Sequence, residues 1–494
     1  MTNSLAVRRA SERLEPDRSR VITRLFVPGQ EGFDHQDSRA GAVVARLIAL
    51  DDAEAQAALD DVIARFDGVH RDLFATFRRH ADELADRVNS DRTLSDTRRL
   101  LLGATFTSEF AIEGAAVCNP SIVAAPDQTG TPPASLRVVM SVRAIGEGHR
   151  SSIGFRTGVL DAAGDFVIDP PSRYTTAGAT TRVPYEITVF RAELARLGID
   201  GESTDYVLDP LGERFTPVEL KEQLDRLRSS LATRRQGGQT ITAIHAIAER
   251  TYGIHFDEDT DLAERVLWPS MPAESHGMED ARFVRFTEDD GTVIYYATYT
   301  AYDGNDIAQQ LLATSDFRTF TSSPLVGAAA ANKGLALFPR RIHGRFVALS
   351  RWDRETNAVA FADHPLEWRT AIACQSPERA WEMLQLGNCG SPIETDAGWL
   401  MLTHGVGPMR TYSIGALLLD LDDPTRIIGH LRHPILRPTD DEHDGYVPNV
   451  VYSCGAIVHA GALVLPYGIG DAAIRIATVD LSDLLAALTP VRSG

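Results

Sequence analysis

The chain has 494 residues, 44% hydrophobic and 24% charged, the balance of a globular protein with enough apolar material for more than one core, not of a disordered chain. Its formal net charge of −19 would repel a phosphate backbone and an anionic membrane, so neither nucleic acid nor a membrane is an expected partner. Four cysteines (Cys118, Cys374, Cys389, Cys454) have no zinc-ligand spacing and are too few for a disulfide scaffold, and the charged start lacks a signal-peptide core, so a cytoplasmic location is expected.

From Asp51 to about Val88 apolar residues recur at three- and four-residue steps through Leu59, Val62, Ile63, Phe66, Val69, Leu73, Phe74 and Phe77, which predicts a helical segment. "TLSDTRRLLLGA" predicts another helix, with Ser95 or Thr93 as its cap. Residues 1–104 therefore read as a helical N-terminal extension with an irregular lead-in. Its apolar stripe from Asp51 to Val88 is broad for a helix lying alone, so it is expected either to pack against a second copy, making a homo-oligomer, or to wall off one side of the binding cleft.

After about residue 105 the chain turns to short β-rich runs broken by Gly, Pro and Asp. "GTVIYYATY", "GRFVALSRW", "GWLMLTHGV" and "GALVLPYGI" begin at Gly291, Gly344, Gly398 and Gly461, spacings of 53, 54 and 63 residues. A fifth copy without the glycine, "LRVVMSVRA", begins at Leu136. Five copies at such a period predict a five-bladed β-propeller over residues 105–494, so the fold class is mainly β, with two stacked sandwiches as the alternative. The long gap before Gly291 holds an insertion at about 175–265, helical from Pro217 and from Thr242. Val447–Gly470 has bilayer length and no charge, but its Pro, Asn, His and Gly residues predict two buried strands joined at "HAGA". "VDLSDLLAAL" predicts a short terminal helix capped by Ser482.

In a propeller, polar residues at the ends of the inner strands converge on one channel. The repeat ends are Arg143, Tyr299 with Tyr302, Arg351, His404, and Tyr467 with Asp471; just ahead of strands lie Asn119, Asp280, Lys333, Asn388 and Asn449. Cations, carboxylates, amides and aromatics gathered there suit a carbohydrate, and Lys333, Arg351 and His404 suit a phosphate beside it. "HLRH" at His430–His433 has no third ligand nearby, so no metal is expected. No Walker loop, G-x-G-x-x-G or G-x-S-x-G motif is present.

"HGMEDARF" followed by "YYATYTAYDG", then "NKGLALFPRRIHGRFVALSR", "GWLMLTHGV", "YSIGALLLDLDDP" and "YVPNVVYSCG", resemble the β-mannoside phosphorylases and mannosidases of glycoside hydrolase family 130, in order from about residue 105 to 485. The flanking "FTSEFAIEGAAVCNPSIVAAPDQ" and "SVRAIGEGHRSSIGFRTG" are similar to the longer members with a helical N-terminal extension. The resemblance also implies a five-bladed propeller. It implies that Asp280 is the general acid, acting through a sugar hydroxyl, and that Lys333 and Arg351 bind phosphate with His404 and Asn388 beside them. Asn119, Arg143 and Asp471 match sugar-binding positions, and Glu279, Tyr302 and Asn449 join them as candidate substrate contacts. Two departures stand out: Ala281 replaces a motif proline, and Gln385 or Asn388 stands where many members carry a further phosphate lysine.

An inverting hydrolase needs a second carboxylate to activate water, whereas phosphate is already an anionic nucleophile and needs cations to position it. One matched acid, Asp280, beside Lys333, Arg351 and His404 therefore favours phosphorolysis over hydrolysis, and the resemblance implies a terminal β-mannoside, expected to be a β-1,2-linked manno-oligosaccharide, as the substrate and α-mannose 1-phosphate as the product. The partners are then a β-manno-oligosaccharide and inorganic phosphate as co-substrate, with no cofactor. The alternatives are a β-mannosidase with a base from Asp303, Asp306, Asp353 or Glu394, a β-mannosyltransferase, and a non-catalytic glycan-binding propeller.

Overall fold

The computed structural model describes residues 5–28, 39–85, 94–230 and 237–491. The chain divides into two compact units: Asp17–Gly114 with Ser172–Thr176, and a larger one formed by the chain up to Pro16, Ala115–Pro171 and everything from Ala177.

In the smaller unit the helices Arg39–Ala49, Asp52–Phe66, Leu73–Ala85 and Asp96–Thr105 accompany an antiparallel pair, Val21–Leu25 with Thr107–Ala111. Asp51 opens the second helix by accepting from the Glu54 amide, while the Glu54 carboxylate accepts from the Asp51 amide. The run expected to be helical from Asp51 to Val88 is broken between Phe66 and Leu73, where Gly68 takes φ +76°, a conformation a helix cannot contain. Residues 86–88 and Thr93 lie outside the described residues. Ser95 caps the last helix through the Arg98 amide. The lead-in expected to be irregular contains a strand, Arg8–Leu14, which belongs to the larger unit.

The larger unit is mainly β, and among its described residues five antiparallel meanders follow one another. The first runs through Ala116–Ala124, Leu136–Ile145 and Ser151–Leu160, with Phe166–Ile168 and Arg265–Leu267 on its outer edge. The second is Gly277–Thr287, Val293–Tyr302, Ile307–Thr314 and Thr319–Pro324. The third is Ala336–Leu337, Phe346–Ser350, Asn357–Ala362 and Ala371–Gln375. In the fourth, Gln385–Asn388 and Ile393–Thr395 share Gly398–Val406, followed by Tyr412–Leu419 and Ile427–His430. The fifth begins with Val451–Tyr452 and Ile457–His459, continues through Ala462–Ile469 and Ala473–Asp480, and is completed by Arg8–Leu14. Every sequence repeat is thus the second strand of a meander. Gly291, Gly344 and Gly461 begin their copies at φ between +76° and +85°, where a Cβ would meet nothing within 4 Å; glycine stands there for the turn conformation and not for space.

The uncharged stretch Val447–Gly470 contains the hairpin of Ile457–His459 with Ala462–Ile469, turning at Ala460 and Gly461. No helix among the described residues is long and apolar enough to cross a membrane. The insertion carries helices Ile187–Arg196, Glu202–Leu208, Pro217–Ser229 and Gly237–Ala248, two more than the sequence pattern predicted. Val189, Phe190, Leu194, Leu227 and Ile244 pack there with Phe286, Tyr296, Leu337 and Trp368 of the second and third meanders. The terminal helix Leu481–Ala487 is capped by Asp480, not Ser482. Asp480 has the extended backbone of a cap and accepts from the Asp483 amide at 2.9 Å, and Ser482, already in the first turn, donates its hydroxyl to the same carboxylate.

Candidate active site

A cleft of about 200 Å³ collects side chains from all five meanders, among them Asn119, Asp280, Lys333, Gln385 and Tyr452 from the first strands or the residues just before them. Two β-bulges build its floor. Glu279 pairs with Thr300 but Arg282 with Thr298, so the strand carries one residue too many at Asp280–Ala281. The same excess occurs in the first meander between Cys118 and Ser121. Asp280 (φ +56°) and Asn119 (φ +49°) sit in these bulges in the left-handed region, which Asn and Asp tolerate better than other non-glycine residues. In a regular strand, neighbouring side chains point to opposite faces. The bulge re-aims one of them, so Glu279 and Asp280 both reach Arg143, whose Nη2 donates to Glu279 Oε1 at 2.6 Å and Nη1 to Asp280 Oδ1 at 3.3 Å. Asn119 Nδ2 donates to the same Asp280 oxygen at 2.7 Å.

Asp280 is only 6% exposed. Burial pushes its pKa up, but Arg143, Lys333 and Arg282, with the Asn119 hydrogen bond, outweigh it and hold the carboxyl at about 2. Burial works against the charge of Arg143, and the carboxylates of Asp280 and Glu279 keep it protonated. Arg282 does not pair with the acids' side chains. It donates to the Asp280 carbonyl at 3.0 Å and to the Tyr452 hydroxyl at 2.8 Å, bracing the bulge from below.

Lys333 enters with its side chain 38% exposed and Nζ 4.0 Å from Glu279 Oε2. Arg351 is nearly buried, and its Nη1 donates to His404 Nε2 at 2.8 Å. The other ring nitrogen, Nδ1, lies 3.1 Å from the Asn388 carbonyl, which can only accept; Nδ1 therefore carries the proton and Nε2 is bare. Burial, then Arg351 and Arg282, push the His404 pKa well below its ordinary value. His404 thus lines the cleft as a neutral partner of Arg351 and not as a third cation. Asn388 is not among the residues that line the cleft; its amide donates to the Gly334 carbonyl at 2.6 Å and accepts from the Gly390 amide, bracing the turn behind Lys333. A Cβ at Gly387 would stand 2.5 Å from the His404 ring and 2.9 Å from Arg351 Nη1, so glycine there lets the pair lie against the backbone.

Tyr302 and Asn449 do not border the cleft. The Tyr302 hydroxyl donates to the Gly304 carbonyl, and Asn449 contributes its backbone to His443 and Tyr412 between the cleft residues Val447 and Val450. Tyr299 and Tyr467 are buried against Glu274 and Glu442. Of the polar cleft residues, Arg410, Tyr412 and Tyr452 escaped sequence reasoning. Arg410 stands in the tight turn Pro408–Arg410, and "GPMR" after the fourth repeat, with the glycine and proline of a turn, was the available signal.

Of the carboxylates considered as a hydrolytic base, none borders the cleft. Asp303 and Asp353 accept amides of their own turns, Glu394 pairs with Arg340, and Asp306 faces a different cavity. The cleft's other carboxyl is Asp471, which burial and the nearby Asp280 push up to about 6 against Arg143 and Arg410. Since the fold favours its protonated form, wild-type stability falls as pH rises from the ordinary carboxylate range through about 6. In thermal melts from pH 4 to 8, Asp471→Asn should gain on the order of 2 kcal/mol relative to wild type across that interval and nothing further above it. A difference that stays flat with pH would mean that Asp471 ionises without penalty.

The glycoside hydrolase family 130 model, described as beta-1,4-mannooligosaccharide phosphorylase, matches residues 228–489. A "1,2-beta-oligomannan phosphorylase" of a Thermoanaerobacter species is 34% identical over 232 residues, 45% of this chain and 75% of that protein. A "Beta-1,2-mannobiose phosphorylase" of the same organism is 32% identical, covering 46% and 74%, and one of Listeria innocua is 30% identical, covering 48% and 67%.

Proposed function

We infer that this chain, which belongs to glycoside hydrolase family 130, is an enzyme that cleaves terminal β-mannosides with inorganic phosphate. The names of its relatives favour the β-1,2 linkage over the β-1,4 linkage of the family description. The observation that carries the reading is one cleft in which the buried Asp280 faces Lys333 and Arg351 while the candidate hydrolytic bases Asp303, Asp306, Asp353 and Glu394 stand elsewhere.

In this reading, phosphate held by Lys333 and Arg351 attacks the anomeric carbon from the face opposite the leaving group. The carbon–oxygen bond to the aglycone breaks, Asp280 supplies the proton to the departing oxygen through a sugar hydroxyl, and the products are α-mannose 1-phosphate and the shortened sugar. Asn119, Arg143, Glu279 and Asp471 hold the terminal mannose. The free enzyme keeps Asp280 ionised because cations surround it. A bound phosphate dianion offsets Lys333 and Arg351, so the proton that Asp280 delivers is taken up with phosphate.

The same reading makes the five meanders the blades of a propeller, the N-terminal strand Arg8–Leu14 completing the last. Support comes from the convergence of their first strands on one cleft. The N-terminal helices serve association between copies. The test is cleavage of β-1,2-mannobiose with and without phosphate: mannose 1-phosphate should appear only with it. Free mannose released equally fast without phosphate would make the enzyme a hydrolase and the basic residues structural.

A further inference from the structure

A second cavity, of about 1130 Å³, adjoins the cleft across a single peptide segment. Asn332 lines this groove and the next residue, Lys333, lines the cleft, so the chain at 331–333 is the partition between them. The partition is held in place. Gln309 donates to the Ala330 carbonyl at 2.8 Å and accepts from the Leu335 amide, and Ser350 donates to the Ala329 carbonyl at 2.7 Å. The far wall is helix Ile187–Arg196 of the insertion, which lies outside the part of the chain that the family model matches.

Size and charge indicate the occupant. The cleft, at about 200 Å³, is smaller than the roughly 300–1,000 Å³ of ordinary ligand pockets, so a substrate with more than the first sugars must leave it, and the groove has room for the rest. Most ions of the groove are paired: Glu193 with Arg196 at 3.0 Å and with Arg250 at 3.5 Å, Glu367 with Arg369 at 2.8 Å, and Arg191 with Asp209 beyond the lining at 2.7 Å, while Asp306 adds a carboxylate. Paired ions offer donors and acceptors to hydroxyls without the unbalanced charge that would select an anion. We propose that this groove binds the distal sugar units of β-mannosides longer than a disaccharide, and so sets the chain-length preference of this enzyme; the proposal rests on the β-mannoside reading of the cleft.

Two variants remote from the cleft test it. Ala195→Trp fills the groove from an exposed helix position, and Asp306→Ala removes a carboxylate from its rim. With β-1,2-mannobiose both should keep kcat/KM within roughly twofold of wild type, and with β-1,2-mannotetraose Ala195→Trp should lose roughly tenfold or more. Calorimetric binding of the tetraose, with no turnover required, should weaken in parallel while mannobiose binding is unchanged. An unchanged tetraose-to-biose ratio in both variants, in kinetics and in binding, would overturn the proposal. If wild type instead binds both sugars but makes no mannose 1-phosphate, the phosphorylase reading fails, and the calorimetric ratio still decides the groove.

Discussion

Asp280→Asn should lower turnover on a β-mannoside by roughly 10²–10⁴, the usual worth of a positioned acid, with little change in the Michaelis constant for the sugar. The substitution keeps the shape of the side chain and an oxygen for Asn119 Nδ2 and Arg143, so the bulge and the sugar contacts persist while the transferable proton is lost. It also has a signature in stability. The carboxyl is held near 2, below its ordinary 3.8, so its ionisation stabilises the fold above about pH 4, and that contribution disappears as pH falls toward 2. Asp280→Asn should therefore be destabilised by about 2 kcal/mol at neutral pH and approach wild type in acid. A variant within tenfold of wild-type turnover would remove Asp280 from the acid role, whatever its melting curve. Glu279→Gln should be milder, since Glu279 shares Arg143 and carries no proton to the leaving group.

Arg351→Ala should raise the Michaelis constant for phosphate roughly ten- to a hundred-fold, with a far smaller effect on that for mannoside, because a charge-assisted bond to the nucleophile is lost. His404→Leu should shift the phosphate constant in the same direction by less. It leaves the guanidinium in place but removes the bare Nε2 that orients it, and among the described residues His404 is the side chain bonded to the Arg351 guanidinium. Initial rates with phosphate and mannobiose varied independently separate the two constants. Equal loss toward both substrates in Arg351→Ala would point to collapse of the cleft, because Arg351, His404 and the Gly387 backbone are packed together.

Much of this protein is local, and local features are legible in a sequence. The five repeats begin at turn glycines and continue as alternating or wholly apolar runs, and each became a second strand because periodicity and turn conformation are properties of neighbouring residues. Ser95 was visible as a cap for the same reason. Errors arose where two local signals competed, as at Ser482 beside Asp480, or where a helical stripe ran past a break, as at Gly68. The helices Ile187–Arg196 and Glu202–Leu208 were missed because their apolar residues serve a core shared with Phe286, Tyr296 and Trp368, far away in the chain.

The residue types of the site, its acid, its cations and its amides, were determined by the sequence alone, because motif and spacing preserve identity and order. What those groups do to one another was decided by the tertiary structure. One extra residue in a strand turns Glu279 and Asp280 toward the same arginine; a carbonyl fixes the proton of His404 on Nδ1 and makes a cation candidate a neutral brace; Asn388 is occupied by the turn it supports. Tyr302 and Asn449, equally suitable by type, do not line the cleft, the Tyr302 hydroxyl being bonded to the Gly304 carbonyl, and Arg410 enters it from a turn. The physical reason is that charge, tautomer and orientation depend on burial and on partners within a few ångströms, and those partners come from five meanders spread over more than three hundred residues, from Asn119 to Asp471.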